Sequence, residues 1–180
     1  MILEDSLITD LKSPETREAA FRSLVDQYKE RLYWHIRKMV YTHDDTDDVL
    51  QNTFIKVHRN INSFKGDSKL YTWLYRIATN EAITFINKRA KQMQVSSQEL
   101  QDRAVQNLQA DVFFEGDEIQ YKLQKAIASL PQKQQQVFNL KYFDEMKYEE
   151  MSQILDTSVG ALKSSYHIAV KKITAHVLGD

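Results

Sequence analysis

Residues 148–173, YEEMSQILDTSVGALKSSYHIAVKKI, read as two helices separated by a four-residue break. Met151, Ile154 and Leu155 recur at i, i+3 and i+4 and mark the apolar face of the first helix. Thr157-Ser158-Val159-Gly160 interrupts that pattern, with the Ser158 hydroxyl placed to cap the next helix. Leu162, Tyr166, Ala169 and Ile173 then resume it at spacings of 4, 3 and 4. This inward stripe leaves Lys163, Ser164, Ser165, His167 and Lys171 on the outer face. Short polar residues on the second helix of such a pair suit the DNA major groove, where side chains must reach base edges and phosphates. The same periodicity fits an αα-hairpin in any helical domain, so the segment alone leaves DNA binding and plain packing both open.

Working outward, composition favours helices. The chain has 180 residues with only two prolines and four glycines, too few breaks for a many-stranded fold. The absence of cysteine excludes disulfides and thiolate metal sites and suits a reducing compartment. No apolar run approaches the roughly 20 residues of a membrane helix, and MILEDSLITD lacks a basic-then-apolar leader. A soluble, cytoplasmic protein is expected. The net charge of −1 argues against a nucleic-acid partner only until it is divided along the chain. Residues 1–93 carry net +2, residues 94–117 net −4 and residues 118–180 net +1. Within the first part, residues 54–91 hold eight basic side chains against Asp67 and Glu81.

These divisions coincide with changes in pattern. Residues 17–40 predict a long helix with Phe21, Leu24, Val25, Tyr28, Leu32, Ile36 and Met39 inward. A second, over about residues 46–60, is expected to bury Leu50, Phe54, Val57 and Ile61 and to present Asp48, Gln51, Asn52 and Ile55 outward. A loop with Lys65-Gly66-Asp67-Ser68 precedes a third helix over residues 70–91, with Trp73, Leu74, Ile77, either Ala82 or Ile83, and Ile86 inward. From Gln94 the periodicity fades into a polar, glutamine-rich linker containing one apolar island, Val112-Phe113-Phe114. Helices return at about residues 117–129 and after Pro131, which suits the first position of a helix. The fold class is therefore all-α: two small helical domains, 1–93 and 118–180, joined by an acidic linker, 94–117, with a helix-turn-helix in the second.

The run FKGDSKLYTWLYRIATN, residues 64–80, sets Phe64, Tyr71, Trp73 and Tyr75 beside Lys65, Lys69 and Arg76. Aromatics interleaved with cations next to a glycine loop can hold single-stranded DNA, with bases stacked on rings or seated in a loop pocket. Trp73 fits a core position better than a base platform, because Leu74 and Ile77 continue the buried stripe. The loop and Asn80 are the better contact candidates. Asn80 carries one donor and one acceptor for a base edge, and Gly66 permits close backbone approach.

Two groups of motifs resemble one family. Asp47-Asp48-Val49-Leu50-Gln51-Asn52-Thr53-Phe54, Phe64-Lys65-Gly66-Asp67-Ser68, Thr72-Trp73-Leu74-Tyr75-Arg76-Ile77-Ala78 and Asn80 resemble the N-terminal domain of bacterial sigma factors of the extracytoplasmic-function class. Leu130-Pro131, Val137-Phe138, Leu140, Tyr142-Phe143 and residues 148–164 resemble the C-terminal domain of that class. The resemblance implies a non-enzymatic protein without cofactor or metal that directs core RNA polymerase to promoters. It implies docking of Asp48, Gln51, Asn52 and Ile55 on the clamp helices of the largest polymerase subunit. The minus-ten element would meet Lys56, Arg59, Phe64, Lys65, Gly66, Asp67, Ser68, Lys69, Arg76, Asn80, Lys88 and Arg89, with one non-template base flipped out. The duplex minus-thirty-five element would meet Lys163, Ser164, Ser165, His167, Lys171 and Lys172, with packing of His167 against the first helix as the alternative. An anti-sigma factor, often membrane-anchored, is the implied inhibitor. The acidic linker, with Glu99, Asp102, Asp111 and Glu115, is either a tether or an acid chain following the basic path that RNA later takes.

The chain also departs from the family. Ser165, Ile168 and Val170 stand where further arginines are common, and Lys147 stands where a Ser or Thr often caps the helix, leaving Asp144 or water as the expected substitute. Two other readings compete. A stand-alone helix-turn-helix regulator accounts for residues 148–173 but not for the face around Asp48 or the aromatic-basic loop. An enzyme reading rests on His43-Asp44-Asp45, which is similar to the start of a metal phosphohydrolase site; acids opening a helix also complement its dipole without any metal.

Overall fold

Thr42 sets the start of a helix: its hydroxyl accepts from the Asp45 backbone N–H at 3.3 Å, and Asp44 and Asp45 lie in the first turn beside the positive end of the dipole. That helix is α3 of the computed structural model, which describes residues 2–106 and 118–179. The N-terminal half comprises α1 (Ile2–Lys12), α2 (Arg17–Val40), α3 (His43–Asn60) and α4 (Leu70–Met93), with a single 3₁₀ turn at Ile61–Ser63. Leu24, Tyr28, Leu32, Ile36 and Met39 of α2 meet Val49, Phe54 and Val57 of α3 and Leu74, Ala78, Ala82 and Ile86 of α4. Leu24, Leu32, Ile36, Val57 and Leu74 are fully shielded. Burial of each contributes about 1.5–3 kcal/mol.

Small differences from the sequence expectation have local causes. The Thr42 cap starts α3 earlier than residue 46, and Val49 takes the buried position expected of Leu50, which is half-buried. On α4 the deepest line is Leu74, Ala78, Ala82 and Ile86, four apart, and Trp73 and Ile77 pack half-buried beside it. α1 fell in a stretch to which periodicity assigned nothing. Its Leu11 is fully buried, and the Glu4 carboxylate accepts from the Leu70 backbone N–H at 2.6 Å. Glu4 thereby satisfies an N-terminal donor of α4, whose cap residue Lys69 makes no side-chain cap.

The other half comprises α5 (Ser97–Gln106), α6 (Glu118–Ala128), α7 (Gln132–Phe138), a π turn at Asn139–Phe143, α8 (Tyr148–Leu155) and α9 (Val159–Leu178). The first part of the polar linker expected over residues 94–117, where the helical periodicity faded, is helical as α5. Glutamine is a good helix former, and here glutamines replace apolar residues as the buried contacts. Gln135 Nε2 donates to Gln101 Oε1 at 3.0 Å and to the carbonyls of Ala128 at 3.1 Å and Leu130 at 2.7 Å. Val105 packs with Tyr41 and Ala128. Asp111, Val112, Phe113, Phe114 and Glu115 lie outside the described residues.

Ala126, Ile127, Leu130, Phe138, Ala169 and Ile173 form the core proper to the C-terminal half. Val137, Leu140, Met146, Met151, Ile154 and Leu162 instead continue the N-terminal core, with α8 packed against α4. α8 opens at Lys147, whose backbone N–H is satisfied by Glu150 Oε2 at 3.2 Å. Asp144, the expected substitute cap, is engaged elsewhere: it accepts from His35 and Lys38 of α2.

Candidate nucleic-acid interface

The turn between α8 and α9 is made by Asp156, in the left-handed region at φ 49°, followed by Thr157 and Ser158. The Ser158 hydroxyl accepts from the Ala161 N–H at 3.3 Å and starts α9 as its sequence position suggested. Leu162, Ala169 and Ile173 are buried, and Tyr166 stacks on Phe138 with ring centroids 5.9 Å apart. The opposite face carries Lys163, Ser164, His167, Lys171 and Lys172, all exposed, with Ser165 half-buried at its margin. His167 is therefore turned to solvent, away from α8. Lys163 Nζ lies 5.7 Å from the Tyr148 ring centroid, and Lys172 Nζ donates to Gln134 Oε1 at 3.3 Å. Ile168 and Val170 are also exposed on α9, and the short Ser164 and Ser165 beside Lys163 leave room for a helix preceded by a tight turn to approach the major groove.

The second surface lies at the α3–α4 loop and along α4. Gly66 takes φ 80°, a conformation that side chains with a Cβ rarely adopt. Phe64, expected at the DNA, is only 3 % exposed and sits against Trp73 with ring centroids 5.2 Å apart. It is the buried root of the loop: its size and apolarity make it a better anchor than contact. Its backbone carbonyl accepts from Lys12 Nζ at 2.6 Å, so α1 pins the loop as well. Lys65, Gly66, Asp67 and Lys69 are exposed and Ser68 half-buried. Arg76 and Asn80, four residues apart, share an exposed strip of α4. Lys56 and Arg59 stand exposed on α3, and Lys88 and Arg89 on the last part of α4. Lys56 forms an ion pair with Glu81, and Arg89 Nη1 one with Asp45 at 2.8 Å. These cations are thus drawn toward acids on the α3–α4 seam rather than gathered at the loop.

A third strip runs along α3. Asp48, Gln51, Asn52 and Ile55 are all exposed, Ile55 to 42 %, at spacings that align them on one face. Beside it lies an open apolar hollow of about 330 Å³ lined by Phe21, Val25, Phe54, Ile55 and His58. His43, the residue behind the enzyme reading, has Nδ1 2.7 Å from the Tyr33 hydroxyl and Nε2 3.4 Å from Asp47.

Between the two halves is a polar cluster that local periodicity could not reveal. His35 is 1 % exposed; its Nδ1 donates to Asp144 Oδ2 at 2.8 Å, and its Nε2 lies 2.9 Å from Thr79 Oγ1. Lys38 Nζ donates to the other Asp144 oxygen at 2.9 Å. Burial alone would raise the Asp144 pKa, but the bond and charge of His35, then those of Lys38, outweigh it and hold the carboxyl below the usual aspartate value. Nearby, Lys69 Nζ donates to Glu150 Oε1 at 3.1 Å, and the Tyr71 hydroxyl also bonds to Glu150. Burial opposes ionisation of Glu150 too; the bonds from Tyr71, the Lys147 backbone and Lys69 prevail and lower its pKa. Oppositely charged partners 81 to 109 positions apart leave no signal in a single sequence.

Beyond this geometry, both halves of the chain match known families. Residues 24–92 match the Sigma-70 region 2 family and residues 120–173 the Sigma-70, region 4 family. The chain is 33 % identical over 156 residues to the ECF RNA polymerase sigma factor SigW of Bacillus subtilis (strain 168), covering 82 % of this chain and 83 % of that one. It is 31 % identical over 162 residues to the ECF RNA polymerase sigma-E factor of Escherichia coli (strain K12), covering 82 % and 81 %. Among solved structures, CnrH in complex with the cytosolic domain of CnrY superposes with a TM-score of 0.72 at 22 % identity over 98 % of both chains. The sigma factor RpoE in complex with the anti-sigma factor NepR from Bartonella quintana gives 0.66 at 23 % identity over 88 % of this chain and 96 % of that one. A region 2 half followed by a region 4 half, at this identity and coverage, makes the chain a member of the extracytoplasmic-function class of RNA polymerase sigma factors.

Proposed function

We propose that the chain docks on core RNA polymerase through the α3 strip and brings it to promoters read at two elements. Asp48, Gln51, Asn52 and Ile55 meet the polymerase, and the apolar hollow beside Ile55 extends that face. Lys65, Gly66, Asp67, Ser68 and Lys69 with Arg76 and Asn80 take the minus-ten strand, Lys56, Arg59, Lys88 and Arg89 hold phosphates, and buried Phe64 keeps the loop in shape. Lys163, Ser164, Ser165 and His167 read the minus-thirty-five duplex, with Lys171 and Lys172 nearer its backbone. The protein works by binding and not by catalysis: capture of an unstacked base offsets an opening cost of about a few kcal/mol. It acts in the cytoplasm, where polymerase is, and is restrained by an anti-sigma factor, as the two solved relatives captured with partner chains suggest. Among the described residues no helix is long and apolar enough to cross a membrane.

The observation that carries this reading is the pairing, in one chain, of an exposed mixed strip on α3 with a loop-and-helix surface and a polar-faced helix-turn-helix. A stand-alone regulator needs only the last of these. Run-off transcription on a genomic promoter library, with core polymerase and with or without this protein, tests the reading. New start sites that require both components are expected. Tight, sequence-specific binding of duplex DNA without polymerase, and no new start sites, would favour the stand-alone regulator.

A further inference from the structure

We propose that the N-terminal segment fixes the shape of the minus-ten loop, with Glu4, Lys12 and Arg17 as positioning residues that set base discrimination without touching DNA. The inference rests on the reading of that loop under the proposed function. The loop leaves α3 through the 3₁₀ turn Ile61–Ser63 and enters α4 at Leu70. The N-terminal segment holds it at both ends. Arg17 Nη2 donates to Asn62 Oδ1 at 2.9 Å, and Lys12 Nζ donates to the Phe64 carbonyl at 2.6 Å. At the far end the Glu4 carboxylate accepts from the Leu70 N–H at 2.6 Å. Two of these three bonds take main-chain groups, so they fix the path of the chain rather than one side chain. All three are charge-assisted, and Glu4 also meets the positive end of the α4 dipole.

The anchors are themselves held. Leu11 is fully buried, with Leu7 and Ile8 half-buried on the same core, so α1 is seated by its apolar face and Lys12 follows directly on the deepest residue. Arg17 Nε donates to the Leu11 carbonyl at 3.0 Å and ties the end of α1 to the first turn of α2. Between the anchors Lys65, Gly66 and Asp67 stand exposed, where a strand can meet them. A loop already in shape binds a flipped base without a further ordering cost, and a displacement of about 1 Å loses the fit that separates one base from another. The phosphate-holding residues Lys56, Arg59, Lys88 and Arg89 stand on α3 and α4 and do not depend on these anchors. Loosening the loop therefore costs base choice before it costs general affinity. Glu4, Lys12 and Arg17 all precede residue 24, where the region 2 match begins, so the matched segment does not include these anchors of its own loop.

The test pairs Glu4→Ala with Lys12→Met in the full-length chain, removing one anchor at each end while Leu11 stays in place. Lys12→Met alone is the milder variant, and Glu4→Gln with Lys12→Arg restores an acceptor and a donor. Each is assembled with core polymerase and assayed by run-off transcription on promoters substituted base by base across the minus-ten and minus-thirty-five elements. In the double variant the ratio between best and worst minus-ten base should narrow about tenfold, the discrimination that one base contact supplies. Minus-thirty-five ratios should stay as in the wild type. Lys12→Met should act in the same direction by a smaller factor, and the conservative pair should recover the wild-type ratios. Hydrogen exchange over residues 62–70 should be faster in the double variant and unchanged over α2. Unchanged minus-ten ratios, equal narrowing at both elements, unaltered loop exchange, or a conservative pair as defective as the double variant each overturns the proposal. If the double variant does not fold, the same comparisons on Lys12→Met decide. Replacing Lys65, Asp67 and Ser68 together by alanine tests the underlying reading. Unchanged minus-ten preference there would sink the loop assignment and this inference with it; a loop that sets preference while the Glu4 and Lys12 variants do not would sink this inference alone.

Discussion

Lys163 is the one long cation at the start of the α9 outer face, exposed and held loosely over the Tyr148 ring at 5.7 Å. From that position it can reach a guanine edge or a phosphate, and the two outcomes have different signatures. Lys163→Ala should reduce discrimination between minus-thirty-five variants by about 1–3 kcal/mol, measured as the spread of affinities across a base-substitution series with holoenzyme. A uniform loss across the series would place the lysine on phosphate alone. Phe64 presents the contrary case of a residue in a functional motif whose weight is structural. At 3 % exposure against Trp73, its truncation to alanine should cost about 3–5 kcal/mol in denaturant unfolding, while Asn80→Ala, exposed on α4, should stay within about 0.5 kcal/mol. If Phe64→Ala unfolds like the wild type and fails only with DNA, the loop must carry that ring outward when it works.

Elements set which faces residues can share. On α3, burial of Val49, Thr53, Phe54 and Val57 leaves Asp48, Gln51, Asn52 and Ile55 aligned outward, with Ile55 an exposed apolar residue among polar ones. Asp48→Arg with Gln51→Ala should abolish co-purification with core polymerase while leaving the thermal midpoint within a degree or two; retained binding would move the docking face elsewhere. On α7, Gln135 gathers Gln101 and the carbonyls of Ala128 and Leu130, so Gln135→Ala should cost about 1–3 kcal/mol through stranded acceptors, read as a lower urea midpoint. The same contrast explains what could be read from residues alone. α2, α3, α4, α8 and α9 announced themselves because each buries one apolar stripe with helical spacing, and Ser158 announced its cap. α5 did not, because its buried contacts are Gln101 and Val105 rather than a stripe, and nothing local in α1 could show that Glu4 serves the Leu70 N–H, 66 residues away. The DNA surfaces were legible as residue types on predicted faces. Phe64 was misplaced because an aromatic ring in a loop looks alike in sequence whether it faces a base or Trp73.

At the scale of the whole molecule, the two halves share one continuous apolar core, and Asp144 is among the polar groups set into that seam. It faces His35 and Lys38 from α2 and Tyr75 from α4. Its carboxyl is held below the ordinary 3.8 in the packed state, so the stabilisation it confers is fully present above that value and disappears as pH falls through its lower, native value. Tyr75 acts at the other end. Burial first, then the charge of Asp144, pushes its phenol up to about 12, so its contribution holds below the ordinary 10.0 and is lost as pH climbs toward the raised value. As far as these two groups decide it, stability should be level across the neutral range and fall off at both extremes. Asp144→Asn separates their effects. Asparagine keeps the shape but cannot ionise, leaving Lys38 and His35 facing a neutral amide, so the thermal midpoint at pH 7 should drop by several degrees. Below about pH 4 the wild type loses its advantage by protonation, and the two midpoints should converge. Scanning calorimetry of both chains from pH 7 down to about 2.5 reads this directly; parallel curves, with the gap kept in acid, would mean that the Asp144 charge does not hold the halves together.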